Sequence, residues 1–226
     1  MITNSDCIEG MLALPDSCVD LVLTDPPFGI NFNEGSYNRK TVLPGYKEAP
    51  PDYYKFSRKW LWQAHRVLKP TGTAFVVSGW SNLEYLLTAA RHCGFVVANH
   101  IIWKYNFGVF TTRRFVTSHY HILFLAKQDK FNFYRQIEDD KEHYHDVSDV
   151  WEIKRESWTG VDCPPTKLPM TLVLKLLKYG SEIGDTVLDP FLGSGQTAVA
   201  CERMGRECIG FEIVPKFFEF AQGRLT

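Results

Sequence analysis

Two short runs hold the residues whose types and spacing could do chemistry: Thr24-Asp25-Pro26-Pro27-Phe28-Gly29 and Asp189-Pro190-Phe191-Leu192-Gly193-Ser194-Gly195-Gln196-Thr197. The first follows an apolar stretch, Val19 to Leu23, and sets a carboxylate, two stiff prolines and an aromatic ring at its carboxyl end, where open α/β sheets bind ligands. The second follows Thr186 to Leu188 and crosses two glycines into a helical pattern, a turn that lets the backbone approach a nucleotide-like cofactor closely. Either run alone is an ordinary turn sequence. Together they assign one strand end to an acceptor and the other to a cofactor.

Alternating apolar clusters and helical patterns must position these ends, and that alternation reads as βαβ units with a mostly parallel sheet and helices on both faces. Helices are expected over Tyr53–Leu68, Asn82–His92, Leu168–Tyr179 and Gln196–Met204, with a last one opened by Pro215. Lys69-Pro70-Thr71-Gly72 is expected to end the first of these as a turn, and Pro169 to sit in the first turn of the third. Further strands are expected over Thr73–Val77, Phe95–Tyr105, His119–Ala126 and Glu207–Phe211. The Phe95–Tyr105 and His119–Ala126 strands follow one another without a crossover helix, so they are expected to form an antiparallel hairpin at the sheet edge. Residues 30–52 make a loop too long for an ordinary connection, and residues 127–166 lack periodicity and read as a long connection.

The chain of 226 residues falls within the range of one α/β domain, 1–226. Its six cysteines include no C-x-x-C pair, so neither a zinc ribbon nor a disulfide framework is indicated. A polar start without a signal pattern, and no apolar run long enough for a bilayer, lead to the expectation of a cytoplasmic protein without a membrane partner. The net charge of −1 shows no basic excess, but Lys104, Arg113, Arg114 and Lys127 flank an aromatic-rich stretch that could form a local basic face. His119 and His121 alternate onto one strand face and His143-Tyr144-His145-Asp146 is dense, yet no third ligand stands at motif spacing. An edge strand and a solvated acidic loop account for them, and no metal is expected.

Set in order, these pieces resemble the S-adenosylmethionine-dependent amino-methyltransferases of DNA, in the permuted beta group whose catalytic motif precedes the cofactor loop. The resemblance is carried by Asp6-Cys7-Ile8-Glu9, by Leu14-Pro15-Asp16, and by Asp20 through Phe28. It continues through Arg66-Val67-Leu68-Lys69-Pro70, Trp103-Lys104, Asp189 to Thr197, and Gly210-Phe211-Glu212. It implies a Rossmann-like methyltransferase fold, S-adenosyl-L-methionine as cofactor, DNA as partner, base flipping, and membership of a restriction–modification system.

The resemblance also implies roles. Asp25 would accept a hydrogen bond from one N–H of an exocyclic amino group and the Pro26 carbonyl from the other, Pro27 would stiffen the turn, and Phe28 would stack on the base. Asp189, Phe191, Gly193, Ser194, Gly195, Thr197, Glu212 and Ile213, with Asp25, would form the cofactor site, Glu212 taking the ribose hydroxyls. Asp6 and Cys7 would meet the adenine. Lys167 matches a turn beside the methionine moiety, from which Cys163 and Leu168 depart. Lys104, Arg113 and Arg114 would contact nucleic acid.

Asp at the head of the catalytic motif and Phe at its aromatic position favour adenine N6 over cytosine N4, the alternative within the class. An RNA adenine-N6 methyltransferase and a non-catalytic methyltransferase-like subunit are the rivals from outside it. Residues 30–52 and 127–166 are the only candidates for sequence recognition, so recognition is expected to be minimal, shared across a homodimer, or supplied by a separate specificity subunit.

Overall fold

A computed structural model describes residues 1–29, 52–106, 108, 112–113, 115–136, 148–156 and 167–225. The elements run β1 (Ile2–Asn4), α1 (Cys7–Leu12), β2 (Val19–Thr24), α2 (Tyr53–Val67), β3 (Leu68–Ser78), α3 (Leu83–His92) and β4 (Val96–Lys104). They continue with β5 (His119–Ala126), β6 (Val150–Glu152), α4 (Met170–Gly180), β7 (Thr186–Asp189), α5 (Gln196–Met204), β8 (Glu207–Glu212) and α6 (Pro215–Gln222). The strands form one sheet in the order β1-β8-β7-β2-β3-β5-β4-β6. Pairing is parallel from β1 to β3 and antiparallel on both sides of β5.

β2 occupies the middle because its side chains are apolar on both faces. Val22 packs with α1, α2 and α3 on one side, and Leu21 and Leu23 pack with α4 and α5 on the other. A parallel strand covered on both faces requires that composition. Asp20, the polar exception, bonds to both neighbouring strands: its two oxygens accept from Lys69 Nζ of β3 at 2.7 and 2.8 Å, and Oδ2 also accepts from the Thr186 N–H of β7 at 3.0 Å. α2 starts where Asp52 caps it, accepting from the Lys55 N–H at 3.0 Å, and it buries Tyr53, Ser57, Trp60, Leu61, Ala64 and Val67, an i, i+3/i+4 stripe.

Several expectations are corrected. Lys69-Pro70-Thr71-Gly72 lies inside β3, whose pairing with β2 is irregular between Val19 and Leu21; proline supplies no N–H there, so the ladder breaks and resumes without a separate turn. The antiparallel pair β4–β5 is present, but β6, from within 127–166, adds in parallel outside β4 and forms the edge. His121 therefore sits on an interior strand, buried, with its Nδ1 2.7 Å from His100 Nε2; burial lowers its pKa to about 4. Pro169 precedes α4 as its cap residue. The expected loop at 30–52 falls, apart from Asp52, outside the described residues, as do 137–147 and 157–166. No helix among the described residues is long and apolar enough to cross a membrane.

Candidate active site

Between β7 and β2 the sheet reverses its direction of growth: β8 and β1 extend one way, β3 and the antiparallel strands the other. The helices leaving these strands cover opposite faces, so the strand ends border a crevice. Thr24 closes β2 and donates its hydroxyl to Asp189 Oδ1 at 2.9 Å, a side-chain bond across 165 residues of sequence that joins the two motifs. Asp189 is 4% exposed; it also accepts from the Phe191 N–H at 3.1 Å and from the Thr197 hydroxyl. Burial raises its pKa to about 6, against the opposing pull of those three hydrogen bonds.

On the β7 side the loop is built from backbone. Gly195 (φ +74°) caps α5 in a left-handed turn, and a Cβ there would stand 2.9 Å from Ala221 Cβ. Gly193 (φ +51°) faces open space, with nothing nearer than 3.9 Å to a Cβ placed on it. Its N–H donates to Glu212 Oε2 at 2.8 Å, and the Val214 N–H donates to Glu212 Oε1 at 2.8 Å, so Glu212 is held at the end of β8 by one bond on each oxygen. Glu212 is 8% exposed, and its burial raises its pKa. Ser194 is buried with its carbonyl accepting from Arg224, which at 2.7 Å also donates to Gln196 Oε1. Phe191 sets its ring against Trp60 edge-on at 5.4 Å and against Phe56 at 5.8 Å, both from α2.

β1 brings Asp6 and Cys7 to the same end, because Asn4 lies opposite Glu212 and the Ser5 N–H donates to the Glu212 carbonyl at 3.1 Å. Asp6 Oδ1 caps α1, accepting from the Ile8 and Glu9 N–H groups. Cys7 is buried, and its thiol is pushed up to about 12 by burial and next by the Asp6 carboxylate. Ile213 is 64% exposed beside Glu212. Lys167 lies at the entry to α4, in an ion pair with Glu156 at 3.0 Å. Cys163 lies outside the described residues.

On the β2 side Asp25 is half-buried, Pro26 buried, and Phe28 half-buried. Asn82, just ahead of α3, donates to the carbonyls of Phe28 at 2.7 Å and Gly29 at 3.2 Å, which fixes the turn. The Phe28 ring lies 5.4 Å from Tyr120, the first of an aromatic cluster with Trp103 and Tyr105. Desolvation pushes the Tyr105 phenol up to about 12, so it stays a hydrogen-bond donor at neutral pH.

Of the cations expected to meet nucleic acid, Lys104 at the end of β4 is ion-paired with Glu152 of β6 at 3.0 Å, Arg113 is exposed, and Arg114, like Phe107 and Phe110, lies outside the described residues. Sequence reasoning missed Arg155, whose guanidinium stands over Tyr105 and Tyr120. It also missed Thr24 as the link between the motifs; a hydroxyl directly before the Asp of a strand-end motif was the available signal.

Comparison with known proteins accords with this geometry. A family model for N6/N4 methyltransferases, described as DNA methylase, matches residues 19–223. The Type II methyltransferase M.HpaI of Haemophilus parainfluenzae is 30% identical over 235 residues, which take in 98% of this chain and 72% of that protein. Among solved structures, that of M1.HpyAVI in complex with SAM superimposes with a TM-score of 0.73 at 22% identity, covering 100% of this chain and 98% of the other. The PvuII DNA methyltransferase, cytosine-N4-specific, gives 0.79 at 18% identity over 100% and 86% of the two chains. At those identities the two structures speak for the Rossmann-like methyltransferase fold.

Proposed function

The chain belongs to the DNA methylase family, and from that premise we propose that it transfers a methyl group from S-adenosyl-L-methionine to the exocyclic N6 of adenine in DNA, as the modifying enzyme of a restriction–modification system. The observation that carries the reading is the Thr24–Asp189 hydrogen bond, because it ties the end of the acceptor strand to the end of the cofactor strand. A reaction between two bound molecules needs its two sites in one fixed geometry.

The residues at the end of β7 and β8 fit the cofactor. The open side of Gly193 lets the main chain come close to a bound group, and each Glu212 oxygen keeps a lone pair beyond its one backbone N–H, free to accept from ribose hydroxyls. Asp6 and Cys7 border the same end through the β1–β8 pairing, and Ile213 offers an exposed apolar surface beside them. When bound, the cofactor supplies a methyl group on a positively charged sulfur.

An aryl amine is a poor nucleophile because its lone pair is delocalised into the ring. Asp25 accepts from one N–H and the Pro26 carbonyl from the other, which holds the nitrogen out of conjugation. The carboxylate then stabilises the positive charge that develops on nitrogen, more strongly than water would because the strand end is partly shielded, and the nitrogen returns to neutral by losing one N–H proton to solvent. Phe28 takes the face of the base, a contact worth about 1–3 kcal/mol per base. The base reaches it by leaving the duplex.

Adenine is favoured by Asp at the head of the catalytic motif and Phe at its aromatic position. Cytosine N4 is the second reading, kept by the likeness in fold to a cytosine-N4-specific enzyme. Transfer of labelled methyl to duplex DNA, single-stranded DNA and RNA, followed by digestion to nucleosides and mass identification, separates them. N6-methyladenine in DNA is the expected product; N4-methylcytosine would keep the mechanism and replace the base, and methylated RNA alone would replace the substrate.

A further inference from the structure

The aromatic wall that starts at Phe28 ends in a cation. Tyr120 lies 5.4 Å from Phe28, and Tyr105 lies 5.3 Å from Tyr120. The guanidinium carbon of Arg155 stands 5.2 Å from the Tyr105 centroid and 5.6 Å from that of Tyr120. Cation and rings attract through the ring quadrupole.

The backbone around Arg155 is fixed on both sides. The Ile153 N–H donates to the Lys104 carbonyl at 3.1 Å, and the Trp103 indole N–H donates to the Ile153 carbonyl at 2.8 Å. On the other side Glu156 accepts from the Met170 N–H at 2.9 Å and pairs with Lys167 at 3.0 Å. Arg155 itself is exposed.

Structural arginines in this protein look different. Arg66 donates to the carbonyls of Leu14 at 3.0 Å and Met11 at 2.7 Å, and Arg206 to those of Ser181 at 2.9 Å and Met204 at 2.6 Å. Among the described residues, Arg155 meets no carbonyl or carboxylate. Its donors remain available while its guanidinium stands over two rings, an arrangement that suits a phosphate, which a guanidinium binds through paired N–H groups.

We propose that Arg155 is a substrate-binding residue that takes the phosphodiester of the nucleotide whose base stacks on Phe28, with Tyr105 and Tyr120 holding the guanidinium in place. The assignment rests on the proposed action on DNA, and it moves the acceptor-side cation from Lys104, which Glu152 already neutralises, to a residue two ring contacts from the catalytic motif.

The test is fluorescence anisotropy of a labelled adenine-containing single-stranded oligonucleotide over a series of salt concentrations, for wild type, Arg155→Ala and Arg155→Lys. Arg155→Ala should bind about tenfold more weakly, and the slope of log affinity against log salt should fall by about 0.7, the value for one phosphate contact on a single strand. Arg155→Lys should keep the slope and lose part of the affinity, since the charge remains and the paired donors do not. Calorimetric binding of S-adenosyl-L-methionine should be the same in all three, which reports an intact cofactor half. An unchanged slope in Arg155→Ala overturns the inference, whether or not affinity falls, and so does an Arg155→Lys variant that loses the slope. Wild type that methylates DNA while Arg155→Ala matches it in binding removes this assignment and leaves the methylation reading standing. Wild type that neither binds nor methylates DNA removes both.

Discussion

The two sides of β2 are built on different principles. Toward β7, β8 and β1 the site is made of backbone and buried acids: Gly193 and Gly195 shape the loop, and Glu212 and Asp189 are pinned by N–H and hydroxyl donors. Toward β3, β5, β4 and β6 it is made of side chains, with Phe28 against Tyr120, Tyr120 against Tyr105 and Trp103, and an exposed arginine over the two tyrosines. An invariant ligand can be met by a rigid main chain whose donors are paid out in advance. A substrate that must be drawn from a polymer is met by flat, sequence-tolerant surfaces and charges.

The sharpest way to break this division is at its seam. Asp25→Ala should lower the rate of methyl transfer by about 10²–10³-fold, the usual loss when one preorganised group facing a developing charge is removed, while cofactor affinity changes little. Single-turnover kinetics with calorimetry would read both. Equal losses in rate and cofactor affinity would place Asp25 in the cofactor half and dissolve the distinction.

The buried acids make a second test. Asp189 ordinarily titrates at 3.8 and is raised to about 6 in the fold, so its protonated form is the one the fold favours. Its contribution to stability is fully present below about pH 4 and is lost as pH rises through about 6, a change on the order of 3 kcal/mol. Asp189→Asn cannot titrate. The difference in unfolding free energy between wild type and Asp189→Asn should therefore shift by about that amount between pH 4 and pH 7, in favour of the variant at pH 7. A constant difference would show that the carboxyl is not desolvated in the folded protein.

Glu212→Ala should weaken cofactor binding about 10–100-fold, since it removes a carboxylate that accepts charge-assisted hydrogen bonds and also frees the Gly193 and Val214 N–H groups. Oligonucleotide affinity measured without cofactor should stay within about twofold. Loss of both affinities would mean that the halves are coupled through the loop after β8.

The same division decides what the sequence made legible. α5 and β5 were readable to the residue, and both motifs fell at strand ends, because glycine spacing, prolines and long apolar runs are local signals. β1 and α1 were not read: the strand has three residues and none buried, and the helix has six with only Cys7 and Met11 inside. Asp6 with Glu9 three positions later was an available start signal for α1. β6 escaped for the same reason, with Trp151 its one buried residue. The backbone-built half was therefore legible in kind, while Arg155 could not be found: what marks it is its place over Tyr105 and Tyr120, whose ring contacts join positions far apart in the chain.

The smallest expected effect separates two cations of the acceptor half that sequence alone could not rank. Lys104 and Glu152 pair at 3.0 Å with side chains 54% and 68% exposed, and such a pair contributes about 0–1 kcal/mol. Lys104→Ala should leave thermal unfolding almost unchanged and weaken oligonucleotide binding by no more than about twofold, because the lost charge was already balanced by its neighbour on β6. Glu152→Ala, which releases Lys104 from the pair, should then strengthen binding slightly and steepen its salt dependence. If Lys104→Ala instead cost as much as Arg155→Ala, the nucleic acid would have to run past the end of β4, where Lys104 meets β6, as well as over the aromatic wall, and the acceptor surface would extend to the edge of the sheet.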